Sequence, residues 1–460
     1  MEFFLRVQIQ PVYHAYEKPS QTVRSIHSLS IRMTTQQNTK WRRLRACRAC
    51  DMVSAIPVLR PGEHASCPRC GHVLARRHLH PVQRSIALAI SALLTLLIAV
   101  AFPFISMDTN GLDTQIELPQ TAVTLIDVHQ PVVALIVSCT AFVLPALYLI
   151  GVILMQANVL RRVPRAYSDV IARLFSRLHP WMMADVFMIA ALVSLVKLTE
   201  IGEVQLGASF WAYCVFAVLL LMTTRSVDID WLWYRLAGEP PPDTSIRCGI
   251  NAADQHATGC ATCGLVNTIS AAAASHECGR CGSTLHMRKP NSLEFTWALL
   301  ITAAVLYIPA NAYPMMITTS LGQTHASTII GGMLELWQHG SEPIAVVIFV
   351  ASVLVPIIKM LILVVLSLLA KYPGPLTAQQ KTRLYRLTEL IGRWSMVDVF
   401  VVAIMVALIQ SGNLMSVLPG PAALAFCAVV ITTMLAAMAF DPRLLWDTQG
   451  NTHDRESPRK

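Results

Sequence analysis

Charge is scarce in this chain. Asp, Glu, Lys and Arg supply 14% of its 460 residues, where about 25% is usual for a soluble domain. Hydrophobic residues supply 54%, so an ordinary water-soluble globule is excluded as the main architecture. No Gly-Lys dipeptide occurs, which removes the G-x4-G-K-[ST] phosphate loop and with it a site for ATP-driven work. H-E-x-x-H and G-x-S-x-G are missing too, so standard hydrolase chemistry has no support. The first 80 residues hold no apolar run followed by a small-residue cleavage site, and no secretory signal is expected there. Lys and Arg are also missing from 107–130 and 317–342, whose charges are acids such as Asp108, Asp113, Glu117, Asp127 and Glu335.

What the chain has instead is a series of apolar runs near the roughly 20 residues that cross a bilayer as a helix. The net charge of +9 does not point to nucleic acid. Its basic residues cluster beside the apolar runs, as topology determinants do, and no nucleic-acid partner is expected.

Two halves of the sequence align almost without gaps. Cys47 and Cys50 stand 213 positions before Cys260 and Cys263, and Cys67 and Cys70 stand 211 before Cys278 and Cys281. AFP at 101–103 matches AYP at 312–314, Pro145 matches Pro356, and WMMADVF (181–187) matches WSMVDVF (394–400). Spacing this constant marks an internal repeat. Each module is expected to hold four spans, near 85–106, 131–156, 181–199 and 207–227, then 294–316, 343–370, 394–411 and 420–440. Basic segments at 157–180 and 371–393 face the Lys- and Arg-free loops, so the positive-inside rule puts both termini and both cysteine units in the cytoplasm. Four spans per module make the repeats parallel rather than inverted.

The expected fold is a mainly α polytopic membrane protein. It is a tandem repeat of two four-helix transmembrane modules, each preceded by a small cytoplasmic zinc-ribbon-like domain. The expected layout is a disordered N-terminal extension at 1–39 and a first ribbon at 40–83. Module 1 spans 84–230, followed by a linker at 231–255 and a second ribbon at 256–290. Module 2 spans 291–442, with a cytoplasmic tail at 443–460. Met33, ahead of the basic residues that lead into the first cysteines, is the expected natural start.

Cys47, Cys50, Cys67 and Cys70 form one C-x2-C…C-x2-C set; Cys260, Cys263, Cys278 and Cys281 form the other. Each C-x2-C turn aims two thiolates at one point, and the second pair completes a tetrahedron. Zinc is the expected ion, in two closed structural sites; a rubredoxin-like iron site or thiol redox chemistry are the alternatives. Gly71, Gly264 and Gly282 follow three of the turns and Asp51 the fourth. The nearby His64, His72 and His276 are not expected as ligands, and three of the other four cysteines fall in apolar spans as small hydrophobes.

Ionisable groups inside spans mark function in such a protein. Asp185 and Asp398 occupy matched repeat positions, while Lys359 is matched by Tyr148. By helical rise, Lys359 lies roughly 15 Å and Asp398 roughly 6 Å from the cytoplasmic end, close enough for a snorkelling lysine to reach the acid. The plainer reading is that both aspartates favour a first-turn helix dipole and that Lys359 is an anchor. Pro103, Pro145, Pro314 and Pro356 are expected to bend spans, with Asn311 placed to satisfy freed carbonyls.

With cysteine units, spans and W-x-x-x-D-V-F in place, residues 40–446 resemble the paraquat-inducible protein A family of bacterial inner-membrane proteins. The doubled cysteines, AYP at 312–314, ELW at 335–337 and GRWSMVDVF at 392–400 carry the resemblance. The second module fits more closely: in the first, Lys359 has no counterpart and Asp51 stands where Gly is expected. The resemblance implies a non-enzymatic inner-membrane component that works with a periplasmic MCE-domain protein. Its cargo would be membrane lipid, loaded or unloaded at the base of a periplasmic tunnel. Lys359, Asp398 and Ser395 are then expected to carry proton-linked or lipid-gating chemistry, with Asp185 the first-module counterpart. The competing readings are a stand-alone ion- or proton-coupled small-solute transporter using Lys359 and Asp398, and a redox-active membrane protein.

Overall fold

The computed structural model describes residues 43–447 apart from 110–111, 129, 162–171, 175–177, 199–202, 241–242, 244, 270–276, 321–322, 339–341, 373 and 411–414. The expected 1–39 extension with Met33, His276, and residues 448–460 of the tail lie outside the described residues.

The chain is mainly helical. Among the described residues, seven helical runs are long and apolar enough to cross a membrane: Pro81–Ala101, Pro131–Val159, Ala208–Ser226, Ser292–Ala312, Ala345–Lys371, Ala378–Ala407 and Pro421–Ala439. A further apolar helix, Ala184–Leu198, is shorter. Exposed Leu94, Leu97, Ile98, Ile301, Val305 and Ile308 cover the outer faces of two of these helices. So much contiguous apolar surface suits hydrocarbon, where a helix satisfies its own backbone polar groups.

Antiparallel helix pairs form the frame. Ser209, in the first turn of Ala208–Ser226, donates to the Ala99 carbonyl near the end of Pro81–Ala101. Ser292 opens Ser292–Ala312 and donates to the Ala439 carbonyl at 2.8 Å while accepting from the Asp441 amide at 2.9 Å. Two short helices fill the middle: Phe187 of Ala184–Leu198 meets Phe400 of Val397–Gln410 edge-on at 5.5 Å, and both rings are fully buried.

The first span of each module ends earlier than expected. Beyond Ala101 and Ala312 the chain turns into strands. Pro103–Thr109 pairs antiparallel with Leu112–Glu117 and Glu203–Leu206, and Met316–Ser320 pairs the same way with Gln323–Ser327 and Met415–Pro419. Pro103 and Pro314 therefore lie just past the helix ends rather than inside spans, where the missing N–H costs no helical hydrogen bond.

Pro145 and Pro356 do lie inside spans, each entering a helix after a π turn, Cys139–Val143 and Phe349–Leu354. The carbonyls left without Pro145's N–H are claimed from outside the helix. Buried Tyr213 donates its hydroxyl to the Ala141 carbonyl at 3.2 Å, and the Met183 amide donates to that of Thr140 at 3.3 Å. Asn311 plays a different part: its amide donates to Tyr307 O one turn back, not to a carbonyl freed by Pro314. Tyr213→Phe strands a buried acceptor and is expected to cost about 1–3 kcal/mol, read as a lower thermal midpoint in detergent. An unchanged midpoint would mean that water or backbone replaces the hydroxyl.

The basic stretch expected as a loop at 371–393 also folds. Ala378–Trp394 is an amphipathic helix, separated from Val397–Gln410 by a turn at Ser395 and Met396. Ile229–Ala237 is helical too and crosses the expected 230/231 boundary.

Candidate metal centres and membrane site

Each cysteine unit is built from knuckles. The residue after each C-x2-C donates its backbone N–H to the carbonyl of the first cysteine: Asp51 to Cys47 at 2.8 Å, Gly71 to Cys67 at 2.9 Å, Gly264 to Cys260 at 3.0 Å and Gly282 to Cys278 at 2.9 Å. That turn needs a left-handed residue, with φ of 62°, 71°, 76° and 65° in the same order. Glycine takes it without steric cost. Asp51 takes it for a reason the sequence does not display: its carboxylate accepts from Ala253 N at 3.1 Å and Arg288 at 2.9 Å, with Arg443 at 3.7 Å. It ties the first unit to the second unit's approach and to the chain's last described turn. Burial pushes the Asp51 carboxyl up, against the pull of Arg288 and Arg443.

The sulfurs converge. Cys47 and Cys70 lie 3.4 Å apart and Cys50 and Cys67 3.5 Å; Cys260–Cys281 and Cys263–Cys278 are each 3.5 Å. Within each set all four sulfurs lie within 4.8 Å of one another. A tetrahedron with Zn–S of about 2.3 Å has edges of about 3.8 Å, whereas a disulfide needs about 2.05 Å. The donor sets therefore fit one four-coordinate cation each. Four buried thiols this close cannot all ionise without mutual repulsion, a conflict that a divalent cation relieves by replacing the protons. No histidine joins either set among the described residues. Cys139, Cys214 and Cys427 sit in apolar helices, and Cys248 is exposed.

The two units are packed crosswise on the helices. Cys47, Cys50 and Cys67 share an apolar cluster with Leu366, Ala370, Ala378, Phe440, Leu445 and Trp446, all from the second half of the chain. The second cysteine set lies in the same cluster as Leu232 and Trp233 of the first half. Arg45, 3% exposed, ties the first unit to the helix Ile229–Ala237 and its C-terminal end, forking onto Asp230 (2.6 Å) and Glu239 (2.7 Å). Such bidentate pairs are the geometrically specific kind.

In the membrane part, Lys359 is 1% exposed and its Nζ donates to Thr433 Oγ1 at 3.1 Å. Among the described residues no ion pair joins it to Asp398. Gly392 lies beside it, where an added Cβ would stand 3.2 Å from Nζ. Ser395 is buried in the turn before Val397–Gln410, and its hydroxyl has no hydrogen-bond partner among the described residues. Asp398 and Asp185 are half-buried in the first turns of their helices, at the favourable end of the dipole. Tyr148, matched to Lys359, is buried as well. The structure thus gathers Lys359 and Thr433 against Gly392. Sequence reasoning singles out neither Thr433 nor Gly392; Gly392 opens the GRWSMVDVF motif, but a lone threonine in an apolar span carries no signal.

The sequence profile of the paraquat-inducible protein A family matches residues 82–237 and 293–449. The chain belongs to that family. Among curated relatives, the intermembrane transport protein PqiA of Escherichia coli is 38% identical over 411 residues, which cover 89% of this chain and 97% of the relative. A probable intermembrane transport protein of Haemophilus influenzae is 27% identical over 416 residues, 89% of this chain and 96% of its own. The lipophilic envelope-spanning tunnel protein A of Escherichia coli is 26% identical over 412 residues, 89% of this chain and 92% of its own. No solved structure matches.

Proposed function

We propose that this chain is the inner-membrane component of an MCE-protein-dependent lipid transport system, loading or unloading lipid between the inner membrane and a periplasmic tunnel. The observation that carries the reading is its end-to-end likeness to relatives named for intermembrane transport and for an envelope-spanning tunnel. The molecule is a non-enzymatic membrane protein. Two four-helix modules stand in the bacterial cytoplasmic membrane, with both termini and both cysteine units in the cytoplasm. Support comes from the seven apolar helices, from the profile matching in two stretches, and from Lys- and Arg-free loops opposite the cysteine units. Zinc is the ion proposed for both four-thiolate sites, in a structural role.

Lys359 is the proposed working group, with Thr433 holding its ammonium and Ser395 and Asp398 on the adjoining turn and helix. A buried amine held by a neutral hydroxyl gains little from that bond to offset its desolvation, so it is retained for something other than stability. In this reading it takes and gives a proton, or meets a lipid headgroup, as transport proceeds. Asp185 is the first module's counterpart of Asp398.

Lys359→Met keeps the length and removes the amine. It is expected to leave the thermal midpoint unchanged or raised while cutting lipid transfer about 10- to 100-fold, the scale of one hydrogen bond to a charged group. The measurement is transfer of a fluorescent phospholipid between vesicles carrying the chain and its tunnel partner. Full transfer by the variant would remove Lys359 from the mechanism. Solute flux through liposomes holding the chain alone would favour the stand-alone transporter.

A further inference from the structure

Besides Asp51, the first cysteine set differs from the second in that a helix of the membrane part grips its knuckle. Along Ala378–Trp394, Gln379 Nε2 donates to the Arg69 carbonyl at 3.0 Å and Arg386 Nη2 to the Cys70 carbonyl at 3.1 Å, with the same nitrogen 3.7 Å from Cys70 Sγ. Between them Thr382 accepts from Trp446 Nε1 at 3.0 Å, and the Trp446 ring carries the Arg69 guanidinium at 4.3 Å. Positions 379, 382 and 386 are spaced to share one helix face. Cys70 is also the least buried ligand of the eight.

The second set is braced from inside its own unit. Asn267 Nδ2 donates to Cys278 Sγ at 3.6 Å, and Cys281 pairs with Ser283 at 3.3 Å. Among the described residues no membrane-spanning helix reaches its sulfurs with a hydrogen bond.

The gripping helix is a rod with a second end. Gly392, about 20 Å along it from Gln379 by helical rise, adjoins Lys359 closely enough that an added Cβ would stand 3.2 Å from Nζ. A four-thiolate zinc centre carries a net charge of −2, and a guanidinium beside one thiolate offsets part of it. Groups of this kind around a ligand shell typically change metal affinity by about 10- to 100-fold.

We propose that Arg386 is a positioning residue of the first metal site, and that the helix Ala378–Trp394 couples metal held by Cys47, Cys50, Cys67 and Cys70 to the packing around Lys359. The inference rests on a metal occupying the first site. It does not depend on what Lys359 does in transport.

Two measurements on the full chain in detergent test it. The first follows release of bound metal to the chromophore 4-(2-pyridylazo)resorcinol. The parent and Arg386→Ala each give up two equivalents, one of them about 10- to 100-fold faster in the variant and the other unchanged; Arg386→Lys recovers part of the difference. Equal release from both proteins, or equal acceleration of both equivalents, overturns the assignment of Arg386, the second outcome being a general loosening of the fold. The second measurement is hydrogen exchange. Amides at 388–396 are expected to lose protection when the faster equivalent leaves, in parent and variant alike. Unchanged protection there after metal removal overturns the coupling, whether or not lipid transport is found.

Discussion

Replacing Cys67 with serine is expected to remove one of two metal equivalents and to free the first cysteine unit from the helices beneath it. Cys67 is 2% exposed and closes the tetrahedron with Cys50 at 3.5 Å. The unit itself is short strand pairs, Arg43–Ala46 with Val53–Ile56 and His64–Ser66 with Val73–Arg76, too little to build a core. Structural zinc supplies on the order of 10–16 kcal/mol in such small domains, far more than their hairpins can. The effect should spread because Cys47, Cys50 and Cys67 belong to one apolar cluster with Leu366, Phe440 and Trp446. Elemental analysis should find one equivalent in place of two, and limited proteolysis should cut within residues 43–80 where the parent resists. Two retained equivalents with unchanged resistance would mean that the unit stands without its fourth thiolate.

Gly420→Ala is expected to be as damaging, for a different reason. The glycine precedes the helix Pro421–Ala439 with φ −77°, an extended conformation open to any residue. A Gly-to-Ala change at such an angle normally stabilises by about 0.4–1 kcal/mol. Here the sign reverses, because an added Cβ would overlap the Pro314 carbonyl oxygen and stand 2.8 Å from its carbon. Both are backbone atoms, and the approach is locked by hydrogen bonds from Gly420 N to Met315 O and from Ala422 N to Pro314 O. Gly207 meets the Pro103 carbonyl in the same way. A loss above about 4 kcal/mol, the range of severe overpacking, is expected for either substitution. The readout is the yield of monodisperse protein and its thermal midpoint; a midpoint equal to or above the parent's would contradict the close approach.

These two cases also mark what could be read from the residues alone. The cysteine spacing announces its own geometry, because C-x2-C turns converge whatever surrounds them, and both sets of four sulfurs do converge; the ion pairs that hold Asp51 in a turn where glycine is expected were not legible. The apolar runs announced the helices, since hydrocarbon thickness sets their length. Gly207 and Gly420 stand at the repeat's own offset, but the carbonyl each abuts lies about a hundred residues back in the chain, and no local pattern encodes that. The short strands after Ala101 and Ala312 were hidden for a related reason. Phe104 and Ile105, or Met315 and Met316, extend an apolar run whether the backbone is helix or strand, and a short run carries no period to separate the two. The crosswise docking of the cysteine units was likewise invisible, because packing partners are set by tertiary contacts such as Arg386 to Cys70. The Lys359 environment was half legible. A lysine in VLVPIIKMLIL declares itself, but its hydroxyl partner Thr433, 74 positions away, does not.

Purification from native membranes in mild detergent tests whether this chain works at the membrane base of a lipid tunnel. Co-purifying proteins are then identified by mass spectrometry, with crosslinking in parallel. A stoichiometric MCE-domain protein is the predicted result. Repeated recovery of the chain without such a partner, with crosslinking also negative, would contradict it.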